Sequence, residues 1–221
     1  FAVRHPRRGH GGFPDRIRFR LSGNEESRLS FINRLYSREL RRVFSAEPDK
    51  GATARVVFQS PTRIVVESSS GYISGADYAP GNPRAVYRYV YSPSSPVVEV
   101  SCTATKEDDT FWNEIHFLQP SRSDLHYTRF IVGEPGKIFP MQRPGTKSRA
   151  HSGNHWALMA TEQDAIGVGP SGVCWDASDE YVYYVDTRST KWKARTISFR
   201  GLLYVGPAVE DFSWFSRWLG S

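Results

Sequence analysis

The sequence predicts a mostly β protein, an antiparallel β-sandwich with one amphipathic helix near the N-terminus. Three observations support this fold class. From Gly51 onward, apolar and polar residues alternate with a period of two, as in strands that bury one face. Short runs rich in Pro, Gly and Ser separate these segments, as turns do. The composition, 39% apolar and 14% aromatic, is that of a globular protein with a substantial core.

The N-terminal part of the chain divides into an arm, a strand and a helix. Residues 1–15 are rich in Arg, Gly and Pro, so we expect an irregular basic arm there and a single β-sandwich domain over residues 16–221. Residues 16–21 alternate as a short strand. Residues 24–44 contain no Gly or Pro, and Asn24 is a suitable helix cap. Their apolar side chains recur at helical spacing, at Leu29, Ile32, Tyr36, Leu40 and Val43.

Two hairpins are expected next. The first joins residues 54–59 to 63–68, and its buried candidates are Val56, Phe58, Ile64 and Val66. The second joins residues 85–91 to 97–104, and its alternation predicts a sheet surface lined by Tyr87, Tyr89 and Tyr91. Later strands are expected at residues 155–160, 165–168, 181–186, 196–199 and 202–205.

The most informative stretch lies between these hairpins and the later strands. Residues 111–119 and 126–132 alternate like two antiparallel strands, and a turn pairing Gln119 with His126 would join them. One face of this ribbon would be polar and aromatic, carrying Trp112, Glu114, His116, Tyr127 and Arg129. Imidazole, phenol and carboxylate groups exchange protons, and an indole stacks on sugar rings. We therefore predict His116, Tyr127, Arg129 and Glu114 as catalytic residues, and Trp112, Tyr87, Tyr89, His155 and Trp156 as substrate-binding residues.

Motifs for cofactor chemistry are lacking in the sequence. Gly167–Gly172 has the letters of a dinucleotide fingerprint, but Pro170 interrupts it and no helix pattern follows. The only two cysteines, Cys102 and Cys174, exclude a cysteine-based zinc site. A metal held by His116, Glu114 and His155 has no diagnostic spacing. We expect no cofactor and no metal.

The charge of the chain favours anionic partners. The formal net charge is +6 and the pI is about 9.4. Arginines crowd the first twenty residues, at Arg4, Arg7, Arg8, Arg16, Arg18 and Arg20. No nucleic-acid motif accompanies them, and no apolar run approaches the roughly 18 residues of a membrane span. An acidic polysaccharide or oligosaccharide is the expected partner, with no nucleic acid and no membrane. The chain begins at Phe1 rather than Met, which predicts processing or a longer parent chain, and we expect a secreted or periplasmic protein.

Four segments carry a family resemblance: Tyr87-Arg-Tyr-Val-Tyr-Ser-Pro93, Val97-Val-Glu-Val-Ser-Cys102, Phe111-Trp-Asn-Glu-Ile-His-Phe117 and Trp156-Ala-Leu-Met-Ala160. In strand rhythm and order, residues 50–206 resemble the galactose mutarotase-like β-supersandwich domains of polysaccharide lyases and some glycoside hydrolases. The resemblance implies a large antiparallel, supersandwich-like fold with a sugar-binding concave face. It also implies that a companion domain of a longer chain supplies some of the catalytic residues.

Three functions fit these observations. The leading hypothesis is a carbohydrate-active, lyase-like domain that binds an acidic polysaccharide and cleaves it by β-elimination. In that reaction Arg129 holds the uronate carboxylate, while His116 and Tyr127 move protons. The first alternative is a noncatalytic carbohydrate-binding or structural sandwich module. The second is an aldose epimerase-like enzyme that uses His116 and Glu114 as acid and base.

Overall fold

A computed structural model describes residues 1–26, 30–121, 127, 129–132, 138–140, 149–152, 157–169, 173–176, 181–184 and 191–209. Within these residues the chain is built from antiparallel strands and one 3-10 turn at His10–Gly12. The mostly β, antiparallel fold class is confirmed. The described part of the chain includes no helix with the length and apolar character needed to span a membrane.

The strands form three sheets within the described residues. Sheet A contains β1 (Ala2–Arg4), β2 (Arg16–Arg18) and β3 (Glu25–Glu26). The next eight strands along the chain are β4 (Ser30–Ser37), β5 (Arg42–Ser45), β6 (Thr53–Ser60), β7 (Arg63–Gly71), β8 (Ile73–Ser74), β9 (Asp77–Tyr78), β10 (Arg84–Tyr91) and β11 (Val97–Thr105).

The remaining described strands are β12 (Glu114–Ser121), β13 (Arg129–Val132), β14 (Ile138–Pro140), β15 (Arg149–Ser152), β16 (Ala157–Ala160), β17 (Asp164–Gly169), β18 (Val173–Asp176), β19 (Tyr181–Tyr184) and β20 (Thr196–Pro207). Sheet B has the order β14-β13-β16-β17-β20-β11-β10-β7-β6. Sheet C has the order β15-β18-β19-β12-β4-β5-β8-β9.

The core lies between sheets B and C. Phe117 of sheet C stacks on Phe199 of sheet B with ring centroids 5.2 Å apart. Leu35 and Ile115 of sheet C and Val100 of sheet B belong to the same buried cluster. Burying a side chain of this size contributes about 1.5–3 kcal/mol, so this layer provides much of the stability of the fold.

The first two predicted hairpins are present. Strands β6 and β7 pair from Thr53↔Ser69 to Ser60↔Arg63, and β10 pairs with β11. The expected burial of Val56 and Phe58 is wrong, because they are 56% and 51% exposed. The reason is that β6 is the edge strand of sheet B, and a bulge shifts its register between these two residues.

The predicted tyrosine-lined surface faces the core instead of solvent. Tyr87 pairs with Cys102 and Tyr89 with Val100, so these four side chains share one face, and both tyrosines are fully buried. Val86, on the opposite face of β10, is 40% exposed. From the sequence pattern, either face of β10 could have been the buried one, since tyrosines and valines alternate along the strand.

The predicted helix over residues 24–44 is wrong. Most of this segment forms the β4–β5 hairpin, in which Leu35 pairs with Phe44, and β3 precedes it. Phe31 and Leu35 are buried at a spacing of four, which suits a helix and a strand equally. Strand β4 pairs on its other side with the distant β12, and these long-range ladder bonds outweigh the local helical preference.

The predicted ribbon of residues 111–119 and 126–132 is also wrong. Strand β12 lies between β4 and β19 in sheet C, whereas β13 lies between β14 and β16 in sheet B. Gln119 pairs with Ile32, and His126 lies outside the described residues. The two segments therefore stand on opposite layers of the sandwich.

The N-terminal residues pack against the sandwich. Strand β1 pairs with β2, and Phe13 is fully buried. Gly12 has φ +73°, and a Cβ there would lie 2.6 Å from Cβ of Ser68, so only glycine fits this approach. The main-chain N–H of Gly9 donates to the carbonyl of Ala52, which holds this segment beside the start of β6.

Candidate functional site

The predicted acid–base pair is in contact, but its histidine is buried and only its carboxylate reaches solvent. Nε2 of His116 lies 3.2 Å from Oε2 of Glu114; the imidazole is 7% exposed and the carboxylate 43%. A register shift between His116 and Gln119, with Leu118 at φ +42°, interrupts the alternation of β12. As a result, Phe117 and Leu118 are both buried in the core, and the expected separation into a polar face and an apolar face is lost beyond His116, which is itself buried.

The other predicted catalytic residues stand apart from this pair. Tyr127 is buried, and Arg129 lies on β13 in sheet B. Nη2 of Arg129 donates to the carbonyl of Thr161 at 2.7 Å. The expectation that Glu114, His116, Tyr127 and Arg129 share one open face is corrected, because β12 and β13 belong to different sheets. Their catalytic roles stay predictions.

The predicted substrate-binding aromatics that the structure describes belong to the core. Trp112 is fully buried; its backbone exchanges hydrogen bonds of 3.2 and 3.0 Å with Trp192. The ring of Phe44 packs edge-on against its indole at 5.6 Å. The hydroxyl of Tyr87 accepts a hydrogen bond of 2.9 Å from Asn33, and burial raises the pKa of Tyr87. Trp112, Tyr87 and Tyr89 therefore present no open surface to a sugar. His155 and Trp156 lie outside the described residues.

The outer face of sheet B carries a second set of polar groups, which the sequence analysis did not single out. Strand register aligns Arg88, Ser101 and Arg200 across β10, β11 and β20. The arginine face, as we name it, is formed by Arg84, Arg88 and Arg200 together with Ser69, Thr103 and Ser198. All three arginines are exposed, and none belongs to an ion pair between described residues.

Hydroxyl groups lie between the arginines. Thr103 Oγ1 and Ser198 Oγ are 3.4 Å apart on adjacent strands, and Ser69 lies two strands from Thr103, across β10. The nearest ion pair joins Arg55 and Glu67 at 2.9 Å, at the β6 side of the same row. Glu67, which is paired with Arg55, and Glu99 lie on the same side of the sheet, so the arginines outnumber the carboxylates and the face carries a net positive charge.

A histidine–tyrosine pair was also missed. His5 Nε2 lies 2.6 Å from the hydroxyl of Tyr91, and Nδ1 lies 3.3 Å from the carbonyl of Gly12. A carbonyl only accepts, so Nδ1 carries the proton and Tyr91 donates to Nε2. Burial lowers the pKa of His5 to about 4, against the opposing influence of the Gly12 hydrogen bond and of Asp15. The ring is therefore neutral at neutral pH.

Metal ligands do not cluster in the described part of the chain, where no group of three His, Cys, Asp or Glu residues is placed to hold an ion. Cys102 is buried, and burial raises the pKa of its thiol. The thiol is therefore protonated and unreactive at neutral pH.

Comparison with known proteins locates the fold. No family model matches this sequence, and no curated protein matches it. In structure, the chain is similar to part of an alpha-mannosidase from Enterococcus faecalis V583, with a TM-score of 0.65 and 9% sequence identity. The match covers 98% of this chain and 29% of that chain, so this chain spans less than a third of the length of the protein it resembles. At this identity the likeness shows a shared β-sandwich fold and no more.

Proposed function

We propose that this chain is a noncatalytic β-sandwich domain of a carbohydrate-active protein, and that it binds an acidic polysaccharide on the arginine face. The observation that carries the proposal is the alignment of Arg84, Arg88 and Arg200 with exposed hydroxyls on one face of sheet B. The carbohydrate class is supported by the fold likeness to a protein named as an alpha-mannosidase. The proposal implies a companion domain and a secreted or periplasmic location.

The spacing of the arginines suits a polymer better than a single sugar. Arg88 and Arg200 are two strands apart, which is about 10 Å, and Arg84 lies four residues from Arg88, which is about 13 Å. One monosaccharide does not reach all three groups, whereas a chain with repeated carboxylates or sulfates lies across them. Serine and threonine hydroxyls between the arginines then donate to sugar oxygens.

The expected affinity is modest and salt-dependent. An exposed ion pair contributes about 0.2–1 kcal/mol, and salt screens it. Three such contacts made together give about 0.6–3 kcal/mol, or roughly a 3- to 150-fold gain over a neutral polymer.

The noncatalytic part of the proposal rests on where the acid–base groups lie. Elimination requires a base, an acid and a carboxylate-binding group around one sugar ring. His116 and Tyr127 are buried. Arg129 lies in sheet B, where its guanidinium donates to the backbone carbonyl of Thr161.

Affinity electrophoresis in gels containing polygalacturonate tests the proposal. The wild-type chain should be retarded, less so at higher salt, and neutral mannan should not retard it. The triple variant R84Q/R88Q/R200Q should lose about tenfold or more in affinity. A matched variant, R18Q/R20Q/R38Q, removes three exposed arginines elsewhere and should bind like the wild type.

Two outcomes would overturn the proposal. Equal retardation of the two triple variants would show that net charge, rather than the arginine face, attracts the polymer. Release of unsaturated products absorbing in the ultraviolet would show that the chain cleaves by elimination, and His116→Ala would then test the base.

A further inference from the structure

A groove of about 840 Å³ opens between strand β1 and strands β6 and β7 at the end of sheet B. Its volume is within the usual range for small-molecule sites, about 300–1,000 Å³. Its lining includes Val3, Ala54, Val56, Ile64, Val66 and Tyr91. Most of the lining side chains are aliphatic or aromatic.

The groove exists because the N-terminal segment covers only the start of β6. The N–H of Ala54 donates to the carbonyl of Arg7, and Arg8 forms a bridge with Thr53. Beyond Ala54 this pairing stops, and Val56 is left 56% exposed on the wall of the groove. An exposed valine beside Ile64 and Val66 forms an apolar strip that favours an apolar ligand.

The polar groups of the groove divide into a neutral pair and a cationic rim. His5 and Tyr91 satisfy each other through their 2.6 Å hydrogen bond and add an uncharged aromatic wall. Arg55 is already paired with Glu67. Arg7 is exposed and belongs to no ion pair between described residues, so its charge is available to a ligand.

We propose that this groove binds an amphipathic carboxylate, with its hydrocarbon chain along Val56, Ile64 and Val66 and its carboxylate on Arg7. The apolar strip selects the chain, and the guanidinium selects the negative charge. This site is independent of the proposed polysaccharide face, since none of the arginine-face residues lines the groove.

Isothermal titration of the full chain with hexanoate, octanoate and decanoate, below their micelle concentrations, tests the proposal. Affinity should rise about fourfold per added methylene, because each buried methylene contributes about 0.8 kcal/mol. Decyltrimethylammonium, a cation with the same chain, should bind at least tenfold more weakly than decanoate. Affinity that does not change with chain length, or equal binding of the cation, would overturn the proposal.

Two matched pairs of variants locate the site. Arg7→Gln should weaken decanoate binding about fivefold or more, whereas Arg8→Gln, next to it but outside the groove, should leave binding unchanged. Val56→Asp places a negative charge on the apolar wall and should abolish binding. Its control, Val57→Asp, changes a neighbouring valine that does not line the groove and should leave binding unchanged. Thermal unfolding confirms that each variant is folded. If both members of either pair weaken binding equally, the groove is not the site.

Discussion

Acidification should destabilise this protein through His5. The ring donates from Nδ1 to Gly12, accepts at Nε2 from Tyr91, and lies 4.8 Å from the ring of Tyr89. A second proton, on Nε2, would require the Tyr91 hydroxyl to turn and accept the hydrogen bond that it now donates. The pKa of His5 accordingly falls from the ordinary 6.5 to about 4, chiefly because the ring is desolvated.

The sign and size of the effect follow from the two pKa values. Between pH 6.5 and about 4 the unfolded chain binds a proton at His5 and the folded chain does not. The contribution of His5 to the free energy of unfolding is therefore fully present above pH 6.5 and is lost as the pH falls toward 4. A difference of about 2.5 pKa units at 1.36 kcal/mol each gives a loss of about 3 kcal/mol at pH 4.

Urea denaturation at pH 7, 5.5 and 4 measures this loss. His5→Phe keeps an aromatic ring beside Tyr89 but cannot titrate, so its free energy of unfolding should fall by about 3 kcal/mol less than that of the wild type over this range. His10→Asn is the matched control, since Asn tolerates the φ of +51° at that position, and it should fall as the wild type does. An equal fall in His5→Phe and in the wild type would refute the assignment.

Two further predictions concern buried side chains. Trp112→Ala should lower the free energy of unfolding by about 3–5 kcal/mol, because it empties a fully buried site; a urea midpoint within error of the wild type would instead place this indole at the surface. Asp49→Asn should lower the free energy of unfolding by about 1–3 kcal/mol. The buried carboxylate accepts hydrogen bonds from the N–H groups of Gly51 and Gly71 and from the hydroxyl of Tyr78, whereas the amide nitrogen of Asn cannot accept a hydrogen bond. Thermal unfolding that matches the wild type would contradict this.

The local parts of the fold were predictable from the sequence. The β6–β7 and β10–β11 hairpins have short turns rich in Ser and Pro, and each strand pairs with its neighbour along the chain. Strand β4 was not predictable in this way, because it pairs with β12, whose residues lie far along the chain. The spacing of four between Phe31 and Leu35 fits a helix and a strand alike. The sequence does not show that β4 pairs with the distant β12.

The candidate sites depended on features that one sequence does not display. His5 and Tyr91 are far apart in the chain and meet only when the N-terminal segment packs on sheet B. The bulge between His116 and Gln119 puts the neighbouring residues Phe117 and Leu118 both in the core, so counting by twos from Trp112 no longer gives the face of a residue beyond His116. The arginine face could have been predicted in part from the sequence, because Arg84, Val86 and Arg88 alternate with Ala85 and Tyr87, which are buried.

Strand β20 determines when sheet B can close during synthesis. It lies between β17 and β11 and joins the two halves of the sheet. One half is β14-β13-β16-β17, and the other is β11-β10-β7-β6. Residue 97 pairs with residue 204, so the two halves of the sheet remain separate on the ribosome until residues 196–207 have emerged. A nascent chain that stops before residue 196 exposes β11 as an open strand edge, and this edge is where we expect chaperones to bind and aggregation to begin.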